Sequence, residues 1–414
     1  MIQAEIISVG DELLTGIVVN TNAAYIGQKL TELGYQVSWI TTVGDNKEKL
    51  ASVLEEAYNR ASLIVVTGGL GPTHDDITKK VVAEFFDSKI IFKPDILSKI
   101  EERFNRMGRE MAEVNREQAE VPEKAELIEN ELGTAPGFVF AREGRTFFIL
   151  PGVPSEMQRM MEKSVLPRLM REKDRIMVRS KLLLTTGIVE SDLYEKIKTL
   201  LCEFPEVKLA FLPKTSGVVV RLMAHGLSAE EYLLQAEARI RERVGKFIYG
   251  EGETTIEKVV ADLLLKKKLT IAVAESCTGG LVSHKLTNVP GSSNYFNRGI
   301  IAYSNKAKVE VLGVPEKTIK IHGAVSPETA LAMAEGVRLI SKTDIGISTT
   351  GIAGPGGGTP VKPVGLVYIG YADSKRSFFE EHHFTRDRWW NKERSAITAL
   401  DLVRRAVLGR VASK

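Results

Sequence analysis

Leu269-Thr270-Ile271-Ala272-Val273-Ala274-Glu275-Ser276-Cys277-Thr278-Gly279-Gly280 is the most informative stretch of this sequence. It begins as an apolar, strand-like run, and a helical pattern follows it from about Leu281. A buried strand that ends in small polar residues and glycines places hydroxyls and backbone N–H groups at a helix N-terminus. Such a place binds anions and supports nucleophilic chemistry. The stretch therefore predicts an α/β unit with a site at the end of this strand.

Strands and helices alternate through the rest of the segment 253–414. An amphipathic helix over 255–267 leads into the strand 270–274. Further strands are predicted over 298–302, 344–349, 365–372 and 377–384, and further helices over 306–312, 327–341 and 387–408. We interpret this segment as a three-layer α/β domain.

The residues alone do not decide which side chain of this domain is the nucleophile. Serines at predicted strand-to-helix junctions are Ser276, Ser292, Ser293, Ser304 and Ser326. A serine nucleophile needs a base, and no histidine here stands in an evident relay with an acid. Lys308 can serve if burial or a helix N-terminus favours its neutral amine, and Asn305 is predicted to cap that helix. Tyr303 is placed to assist, although a surface lysine and a core-edge tyrosine are the plainer interpretation.

Cysteine gives a rival for the attacking group. Cys277 is predicted to lie near a helix N-terminus, where the pKa of a thiol falls and its reactivity rises. Cys202 ends a predicted helix and is interpreted as a small core residue. The two cysteines are predicted to lie in different domains, so a disulfide between them is not expected.

The N-terminal segment repeats the strand-then-glycine pattern three times. Predicted strands over 4–9, 36–43 and 62–66 alternate with helices over 22–33 and 47–60, which indicates a parallel sheet. Each strand is followed by glycine and a carboxylate; these residues include Gly10, Asp11, Glu12, Asp45, Gly68, Gly69, Gly71, Asp75 and Asp76. Carboxyl ends of parallel strands face one crevice, which is where ligands bind.

This edge favours a phosphorylated ligand with a divalent cation. Glycines let backbone N–H groups approach phosphate oxygens, and carboxylates are the ligands that Mg²⁺ and Mn²⁺ prefer. Two loops are predicted to close the site, 130–138 and 150–157, and the charged helical stretch 94–120 is predicted to lie near it. The alternative is that these aspartates only cap helices and form turns.

The sequence resembles the CinA (competence/damage-inducible) family in its N-terminal motifs. Gly-Asp-Glu-Leu-Leu-Thr-Gly over 10–16, Thr-Gly-Gly-Leu-Gly-Pro-Thr over 67–73 and Leu-Pro-Gly-Val-Pro over 150–154 carry the resemblance. It implies a molybdopterin-binding-like fold over 1–170 and a metal-dependent ADP-ribose pyrophosphatase, using Mg, Mn or Co. The metal ligands it implies are Asp11, Glu12, Asp75, Asp76 and Glu156. The substrate-binding residues it implies here are Gly10, Asp11, Asp45, Thr67, Gly68, Gly69, Gly71, Gly133, Pro151 and Gly152.

The C-terminal motifs resemble the nicotinamide-nucleotide amidohydrolase domain that ends CinA proteins. They are Ala-Glu-Ser-Cys-Thr-Gly-Gly over 274–280, Pro-Gly-Ser-Ser over 290–293, Tyr-Ser-Asn-Lys-Ala-Lys over 303–308 and Gly-Ile-Ala-Gly-Pro over 351–355. The resemblance implies conversion of nicotinamide mononucleotide (NMN) to nicotinate mononucleotide and ammonia, without a cofactor. It implies that Ser293 attacks, that Lys308 is the base, that Tyr303 assists and that Ser276 lies nearby. The substrate-binding residues expected here are Thr278, Gly279, Gly280, Gly351, Ile352, Ala353 and Gly354.

Between these two domains, the segment 171–250 is predicted to be an α+β connector. The resemblance makes it KH-like, but no Gly-x-x-Gly clamp occurs where a KH nucleic-acid site needs one, so nucleic-acid binding is not expected. Basic residues over 171–179 are interpreted as an exposed linker.

Composition and the resemblance leave three functional hypotheses. The 414 residues include 56 basic and 53 acidic side chains, which does not indicate a dedicated nucleic-acid binder. No apolar stretch is long enough to span a membrane and no basic signal region precedes the first strand, so a cytoplasmic protein is expected. The leading hypothesis is a bifunctional hydrolase of NMN and ADP-ribose, with a homodimer suggested by the resemblance. The alternatives are a molybdopterin adenylyltransferase and a non-catalytic competence-associated adaptor.

Overall fold

The computed structural model describes residues 2–171 and 178–411. The chain forms two compact units, Met1–Arg179 with His225–Ala229, and Ser180–Ala224 with Glu230–Lys414. Most of the predicted basic linker 171–179 lies outside the described residues. Among those described, no helix is both long and apolar enough to cross a membrane.

The first unit is a six-stranded sheet between helices, with a small two-stranded sheet beside it. Its strands are β1 (Gln3–Val9), β2 (Gln36–Val43), β3 (Leu63–Thr67), β4 (Ile90–Phe92), β5 (Glu120–Pro122), β6 (Glu126–Ile128), β7 (Gly137–Arg142) and β8 (Arg145–Leu150). Its helices are α1 (Asp11–Leu14), α2 (Thr21–Glu32), α3 (Lys47–Arg60), α4 (Thr78–Phe85), α5 (Pro94–Arg106), α6 (Pro154–Met160) and α7 (Leu166–Met170), with a 3₁₀ segment Glu113–Ala119 and a π segment Met161–Val165.

The strands predicted to form a parallel sheet, β1, β2 and β3, are parallel, and the larger sheet is mixed because it also contains β6 and β7, which were not predicted. In the strand order β2-β1-β3-β8-β7-β6, the first four strands are parallel to one another. β7 pairs antiparallel with β8, and β6 pairs antiparallel with β7. The two-residue turn Glu143-Gly144 joins β7 to β8 with φ of 51° and 76°. Positive φ at both positions suits a tight hairpin, which forces the chain back antiparallel. The carboxyl ends of β1, β2 and β3 share one edge, as predicted.

Both faces of this sheet are covered, which makes three layers. Ile7 and Ile64 pack with the helices on one face, and Ile6 and Val65 pack with those on the other. The five residues of β3 are all buried, as expected for a strand with helices on both sides. The helix predicted over 94–120 ends at Arg106, and a 3₁₀ segment continues the excursion.

The second unit contains a four-stranded and a five-stranded sheet. Its strands are β9 (Val178–Thr185), β10 (Lys208–Lys214), β11 (Gly217–His225), β12 (Ile248–Glu251), β13 (Ile271–Glu275), β14 (Phe296–Ile301), β15 (Ile345–Gly351), β16 (Leu366–Ala372) and β17 (Ser377–His383). Its helices are α8 (Glu190–Ile197), α9 (Leu200–Glu203), α10 (Ala229–Val244), α11 (Ile256–Lys267), α12 (Leu281–Thr287), α13 (Asn305–Leu312), α14 (Glu316–His322), α15 (Pro327–Ser341) and α16 (Arg388–Val407), with a 3₁₀ turn Ser292–Asn294.

The five-stranded sheet has the order β14-β13-β15-β16-β17, and its first three strands are parallel to one another. β16 pairs antiparallel with β15, and β17 pairs antiparallel with β16. Helices cover both faces, so the predicted three-layer α/β domain is confirmed. One core cluster joins Leu184, Val219 and Tyr249 of the connector to Val260 and Val403 of α11 and α16. The connector therefore shares its core with the C-terminal domain instead of standing apart as a separate body.

A buried carboxyl group shapes the turn that follows β13. Glu275 is fully buried, and its two oxygens accept hydrogen bonds from the N–H groups of Gly280, Val282 and Ser283 at 2.9 to 3.1 Å. They also accept from the hydroxyls of Thr278 and Ser283 at 2.6 and 2.7 Å. The first N–H groups of a helix have no partner within it. Here the side chain of Glu275 satisfies them and fixes the path from β13 into α12.

We expect the change Glu275→Gln to destabilise the protein by about 2–4 kcal/mol. The glutamine would turn an N–H₂ donor toward groups that are themselves donors, in a place that water does not reach. Urea unfolding measures the effect, and Glu310→Gln on the exposed surface of α13 is the matched control. Equal stabilities of the two variants would show that Glu275 does not hold this turn.

Candidate active sites

Lys308 is the centre of the candidate site in the second unit. It lies in the first turn of α13, just beyond the carboxyl end of β14, and is 1% exposed. Its Nζ is 3.0 Å from the Oγ of Ser276, 2.8 Å from the carbonyl oxygen of Ala302 and 3.1 Å from that of Tyr303. Ser276, which follows β13, is 9% exposed. Two adjacent strands thus deliver an amine and a hydroxyl to one point.

The three contacts of Lys308 Nζ fit either protonation state of the amine, since an ammonium group could donate to all three oxygens. Burial lowers the pKa of Lys308, because the low-dielectric surroundings disfavour its charged form. A neutral amine has two N–H donors and one lone pair. The carbonyls of Ala302 and Tyr303 can take the two donors, which leaves the lone pair for the Ser276 hydroxyl. In this neutral form the amine contacts a hydroxyl that it could deprotonate.

The helix that carries Lys308 begins one residue earlier than predicted. Ser304, and not Asn305, is the N-cap, and its Oγ accepts a hydrogen bond from the N–H of Ala307 at 3.0 Å. Asn305 is the first helical residue and is exposed. Serine and asparagine are equally good N-caps, so their order in the sequence does not choose between them.

Ser293 and Lys308 lie beyond opposite ends of β14. Ser293 belongs to the 3₁₀ turn that precedes β14, and it is exposed, whereas Lys308 follows β14. The six residues of β14 separate the two by roughly 20 Å, at about 3.3 Å per residue. Within one chain the structure therefore brings Lys308 to Ser276 and does not bring it to Ser293.

Tyr303 takes part through its backbone. Its carbonyl oxygen faces Lys308 Nζ, but its side chain is 62% exposed. The phenol oxygen lies 3.4 Å from a guanidinium nitrogen of Arg388, near the start of α16. The side chain of Tyr303 therefore stands at the mouth of the site, beside a cation.

Cys277 does not have the low pKa expected of it. The residue is 6% exposed, and burial raises the pKa of its thiol to about 12. The nearby carboxyl of Glu275 raises it further, because it opposes the field of the helix N-terminus. A thiol of this kind stays protonated at neutral pH. Cys202 is exposed, contrary to its interpretation as a core residue, and both cysteines are free.

The carboxyl group of Glu275 already occupies the glycine-rich turn after Ser276. Glu275 takes the N–H of Gly280 and the hydroxyl of Thr278, two residues expected to bind the substrate. The N–H groups of Thr278 and Gly279 are not used by Glu275. The ammonium group of Lys392 lies close to Gly279 and contributes to the electrostatics of Cys277.

The second glycine-rich segment is anchored from α16. Gly351 ends β15, and the N–H of Ile352 bonds to the carbonyl of Leu366 at 2.9 Å. The carbonyl of Ala353 accepts from Asn391 at 3.1 Å, and that of Gly354 accepts from Arg388 at 2.8 Å. Ala353 and Gly354 therefore present carbonyl oxygens to α16, while Arg388 and Lys392 supply positive charge beside the site.

Carboxylates gather at the corresponding edge of the first unit. The N–H of Asp11 bonds to the carboxyl of Asp45 at 3.0 Å, and the N–H of Asp45 bonds to the carboxyl of Asp11 at 3.2 Å. Partial burial raises the pKa of Asp45, and the charges of Asp11, Glu12 and Asp75 raise it further. Four carboxylates thus repel one another at the ends of β1, β2 and β3.

The other two predicted metal ligands are engaged elsewhere. Asp76 accepts hydrogen bonds from the N–H and hydroxyl of Thr73 at 2.9 and 2.6 Å, which is a turn-forming role. Glu156 accepts from the side chain of Asn130 at 2.7 Å. Within residues 2–171 and 178–411, no three acidic, histidine or cysteine side chains stand close enough to form a ready metal site. The oxygen donors of Asp11, Asp45 and Asp75 nonetheless have the chemistry that Mg²⁺ or Mn²⁺ requires.

Several predicted binding residues form the floor of this crevice. Thr67 is buried and donates to the carbonyl of Pro151 at 2.8 Å. Asn22, which sequence reasoning missed, ties Thr67 to the carbonyl of Gly152 at 3.0 and 2.8 Å. Gly68 has φ of 108°, and a Cβ there would lie 2.2 Å from a backbone oxygen, so only glycine fits.

The remaining glycines lie against the acidic side chains. A Cβ on Gly10 would meet the carboxyl of Glu12, one on Gly71 that of Asp76, and one on Gly133 that of Glu156. Gly69 lies against the hydroxyl of Thr78 in the same way. These positions leave room for carboxyl groups to fold over the backbone.

A cavity of about 740 Å³ opens between α5 and the loop before β7. Its lining includes Asn130 and Gly133 of the predicted closing loop, with Lys99, Arg103 and Arg106 from α5. Lys99 pairs with Glu129, and Arg103 donates to the carbonyls of Glu131 and Leu132. The charged excursion over 94–120 therefore contributes a wall of mixed charge, with Asp95 and Glu102 beside the three cations.

Glu275 is the main functional residue that sequence reasoning missed, although it stood in the quoted motif. A glutamate that ends an apolar strand, ahead of two glycines and a helix, signals a buried acceptor for the first turn of that helix. Arg388 and Lys392 gave no local signal, since they lie more than 100 residues from Ser276 in the sequence.

Three sequence profiles match the chain in succession. Residues 5–171 match a probable molybdopterin binding domain, residues 180–250 the damage-inducible protein CinA KH domain, and residues 253–407 the CinA C-terminal domain. These matches agree with the architecture of two α/β domains and a KH connector.

Full-length relatives and solved structures are similar to the chain as well. A competence-damage inducible protein of Caldicellulosiruptor bescii is 47% identical over 98% of this chain and 99% of its own. A CinA-like protein of Dictyoglomus turgidum is 45% identical over the same shares. The crystal structure of a competence/damage inducible protein from Agrobacterium tumefaciens is 35% identical and covers 37% of this chain and 97% of its own, with a TM-score of 0.36. The chain therefore belongs to the CinA family.

Proposed function

We propose that the chain is a bifunctional hydrolase of pyridine-nucleotide metabolism. Its C-terminal unit would convert NMN and water to nicotinate mononucleotide and ammonia. Its N-terminal unit would convert ADP-ribose and water to AMP and ribose 5-phosphate with a divalent cation. Support for an enzyme comes chiefly from one observation, the contact between the buried amine of Lys308 and the hydroxyl of Ser276. The choice of substrates comes from the motifs.

Lys308 acts as the base in this proposal. Its neutral amine takes the proton of Ser276 as a serine oxygen bonds to the carboxamide carbon of NMN. The C–N bond then breaks, and Lys308 returns the proton to the departing ammonia. Water attacks the resulting acyl-enzyme by the same route and releases the acid. The attacking oxygen is that of Ser276, or that of Ser293 if Ser293 is brought against Ser276, which then relays the proton.

Other groups around Ser276 fit the remaining parts of the substrate. The N–H groups of Thr278 and Gly279 are oriented by the same turn and are suited to stabilise the oxyanion. The phosphate is better placed near Arg388 and Lys392 than on the first turn of α12, because Glu275 already supplies a carboxyl group there. A second anion on those N–H groups would be repelled.

The N-terminal unit supports a metal-dependent reaction. A divalent cation among Asp11, Asp45 and Asp75 would relieve the repulsion that raises the pKa of Asp45. When bound, the cation would polarise the pyrophosphate of ADP-ribose. The cavity of about 740 Å³ beside the predicted closing loop is within the range typical of small-molecule ligands, and Lys99, Arg103 and Arg106 are the cations in its mixed-charge lining.

We expect Lys308→Met to reduce ammonia release from NMN roughly a thousandfold or more, within the range of general-base catalysis. Ser276→Ala should have a comparable effect, because it removes the hydroxyl that contacts the amine. The readout is ammonia release in the presence of a chelator. Lys306→Met, on the exposed side of the same helix, should keep wild-type activity. Full activity in Lys308→Met would eliminate the Ser–Lys mechanism.

The lowered pKa of Lys308 has a consequence for stability. The folded state binds that proton more weakly than the unfolded chain, whose lysine has the ordinary value of 10.5. Between the lowered value and 10.5, the unfolded state holds more protons, so the free energy of unfolding rises with pH. Urea unfolding of wild type and Lys308→Met across the alkaline range measures this difference. Parallel curves for the two proteins would mean that the amine is not perturbed.

We expect Mn²⁺ to raise the melting temperature of wild type and to have little effect on Asp45→Asn, since a ligand stabilises the state that binds it. A chelator should abolish ADP-ribose hydrolysis and leave ammonia release intact. Asp87→Asn, an exposed aspartate in the left-handed conformation that asparagine also accepts, is the control. An unchanged response in Asp45→Asn would place the cation elsewhere.

A further inference from the structure

The loop after β15 contains two buried N–H groups that have no acceptor. Ala353 is 6% exposed, and Gly354 is buried as well. Within residues 2–171 and 178–411, no oxygen accepts a hydrogen bond from the N–H of either residue. Such groups are rare in proteins, because burial removes the water that would otherwise bond to them. Two in succession indicate a place where a ligand or an ordered water supplies the acceptor.

The hydrogen bond of the Ile352 carbonyl fixes the direction of the first N–H. In a trans peptide, the C=O of one residue and the N–H of the next point in opposite directions. The carbonyl of Ile352 accepts from the N–H of Gly365 at 2.7 Å, on the side of β16. Because β15 lies between β16 and β13, the N–H of Ala353 points toward the side of β13. Ser276 directly follows β13 on that side.

Asn391 fixes the direction of the second N–H. This residue of α16 is 1% exposed, and its Nδ2 donates to the carbonyls of Ala353 at 3.1 Å and Arg386 at 2.8 Å. Its Oδ1 accepts from the N–H of Arg386 at 3.3 Å, so a flipped side-chain amide would place donor against donor. Because the carbonyl of Ala353 points at α16, the N–H of Gly354 points away from α16.

Ser276 and Lys308 lie on the side to which this second N–H points. α16 packs on the face of the sheet that carries Val273, whereas α13 packs on the face that carries Ala274. Side chains alternate along a strand, so Ser276 continues the face of Ala274, and its contact with Lys308 of α13 agrees with this. Both unpartnered N–H groups therefore point toward the Ser276–Lys308 pair.

We propose that Asn391 is a positioning residue that turns the N–H of Gly354 toward the substrate, where it and the N–H of Ala353 donate to the carboxamide oxygen. This inference rests on the amidohydrolase function proposed above. As a serine oxygen bonds to the carboxamide carbon, the electron pair of the C=O bond moves onto that oxygen, and donors already aimed at it stabilise the negative charge. The pair returns when the C–N bond breaks and ammonia leaves with the proton that Lys308 held. The turn after β13 offers N–H groups of its own, so the oxygen lies between two loops.

Kinetics of Asn391→Leu and Asn391→Asp test the positioning role. Leucine has no donor for the carbonyl of Ala353, and aspartate places a carboxylate oxygen against it, so the N–H of Gly354 loses its fixed direction. We expect kcat for ammonia release from NMN to fall roughly a hundredfold with KM nearly unchanged, because the donors act on charge that develops only in the transition state. Ser395→Ala removes a buried hydrogen bond to the carbonyl of Asn391 in the same helix and should keep the wild-type kcat. Wild-type kcat in both Asn391 variants would overturn the proposal.

A substrate with a poorer acceptor separates this role from a loss of folded protein. NMN whose carboxamide oxygen is replaced by sulfur offers only a weak acceptor to N–H donors. The rate of ammonia release from NMN, divided by the rate from this thioamide, should therefore be smaller in both Asn391 variants than in wild type. Loss of folded protein lowers both rates equally and leaves their ratio unchanged. An unchanged ratio would show that Asn391 acts on stability alone, contrary to the proposal.

Hydrogen exchange tests the two donors without reference to turnover. Pro355 has no N–H, so fragments that differ by residues 353–355 report on Ala353 and Gly354 alone. Saturating NMN should slow exchange at both in wild type, and less at Gly354 in Asn391→Leu. Slowed exchange in a protein that releases no ammonia would reject the proposed function and keep the donors. Ammonia release without slowed exchange would keep the function and reject the donors, and the absence of both effects would reject both.

Discussion

The buried carboxyl of Glu275 organises the C-terminal site. By satisfying the first N–H groups of α12 from the end of β13, it fixes the turn on which Ser276, Cys277 and Thr278 lie. Ser276 is thereby held against Lys308, and the thiol of Cys277 is kept protonated by burial beside a carboxyl group. The place where a glycine-rich turn usually receives a ligand anion is filled by the side chain of Glu275, so an anionic ligand would have to use neighbouring groups.

The two candidate sites occupy equivalent positions in their sheets but differ in electrostatics. At the N-terminal edge, partial burial raises the pKa of Asp45, and the charges of Asp11, Glu12 and Asp75 raise it further, so a cation there would be favoured. At the C-terminal edge, the carboxyl of Glu275 is surrounded by donors and the amine of Lys308 is driven toward neutrality. The first arrangement suits metal-assisted chemistry on a phosphate ester, and the second suits proton transfer without a metal.

The connector supports the second of these sites through shared packing. Arg404 of α16 is 2% exposed and bonds to Asp401 at 2.8 Å. The same guanidinium donates to the carbonyls of Lys246 and Ile248, at the end of the connector. Near its other end, α16 carries Arg388 and Lys392 beside the site. The connector therefore anchors one end of this helix, and the contact of Arg388 with Gly354 anchors the other. The connector thus has a structural role that its sequence, which lacks a catalytic motif, does not reveal.

Local patterns in the sequence determined much of this protein. Apolar runs followed by glycine and polar residues predicted the buried strands and the edges where both sites lie, because period and turn chemistry are properties of neighbouring residues. They also identified Lys308 as a candidate base.

Tertiary structure decided what local patterns do not contain: that the hairpin at Glu143-Gly144 makes the first sheet mixed, that Glu275 occupies the turn after β13, and that Cys277 is too buried to ionise. It also decided that Lys308 contacts Ser276 and not Ser293, since Ser276 follows β13 whereas Ser293 precedes β14. Burial and strand direction act between residues far apart in the chain, and only the folded structure fixes them.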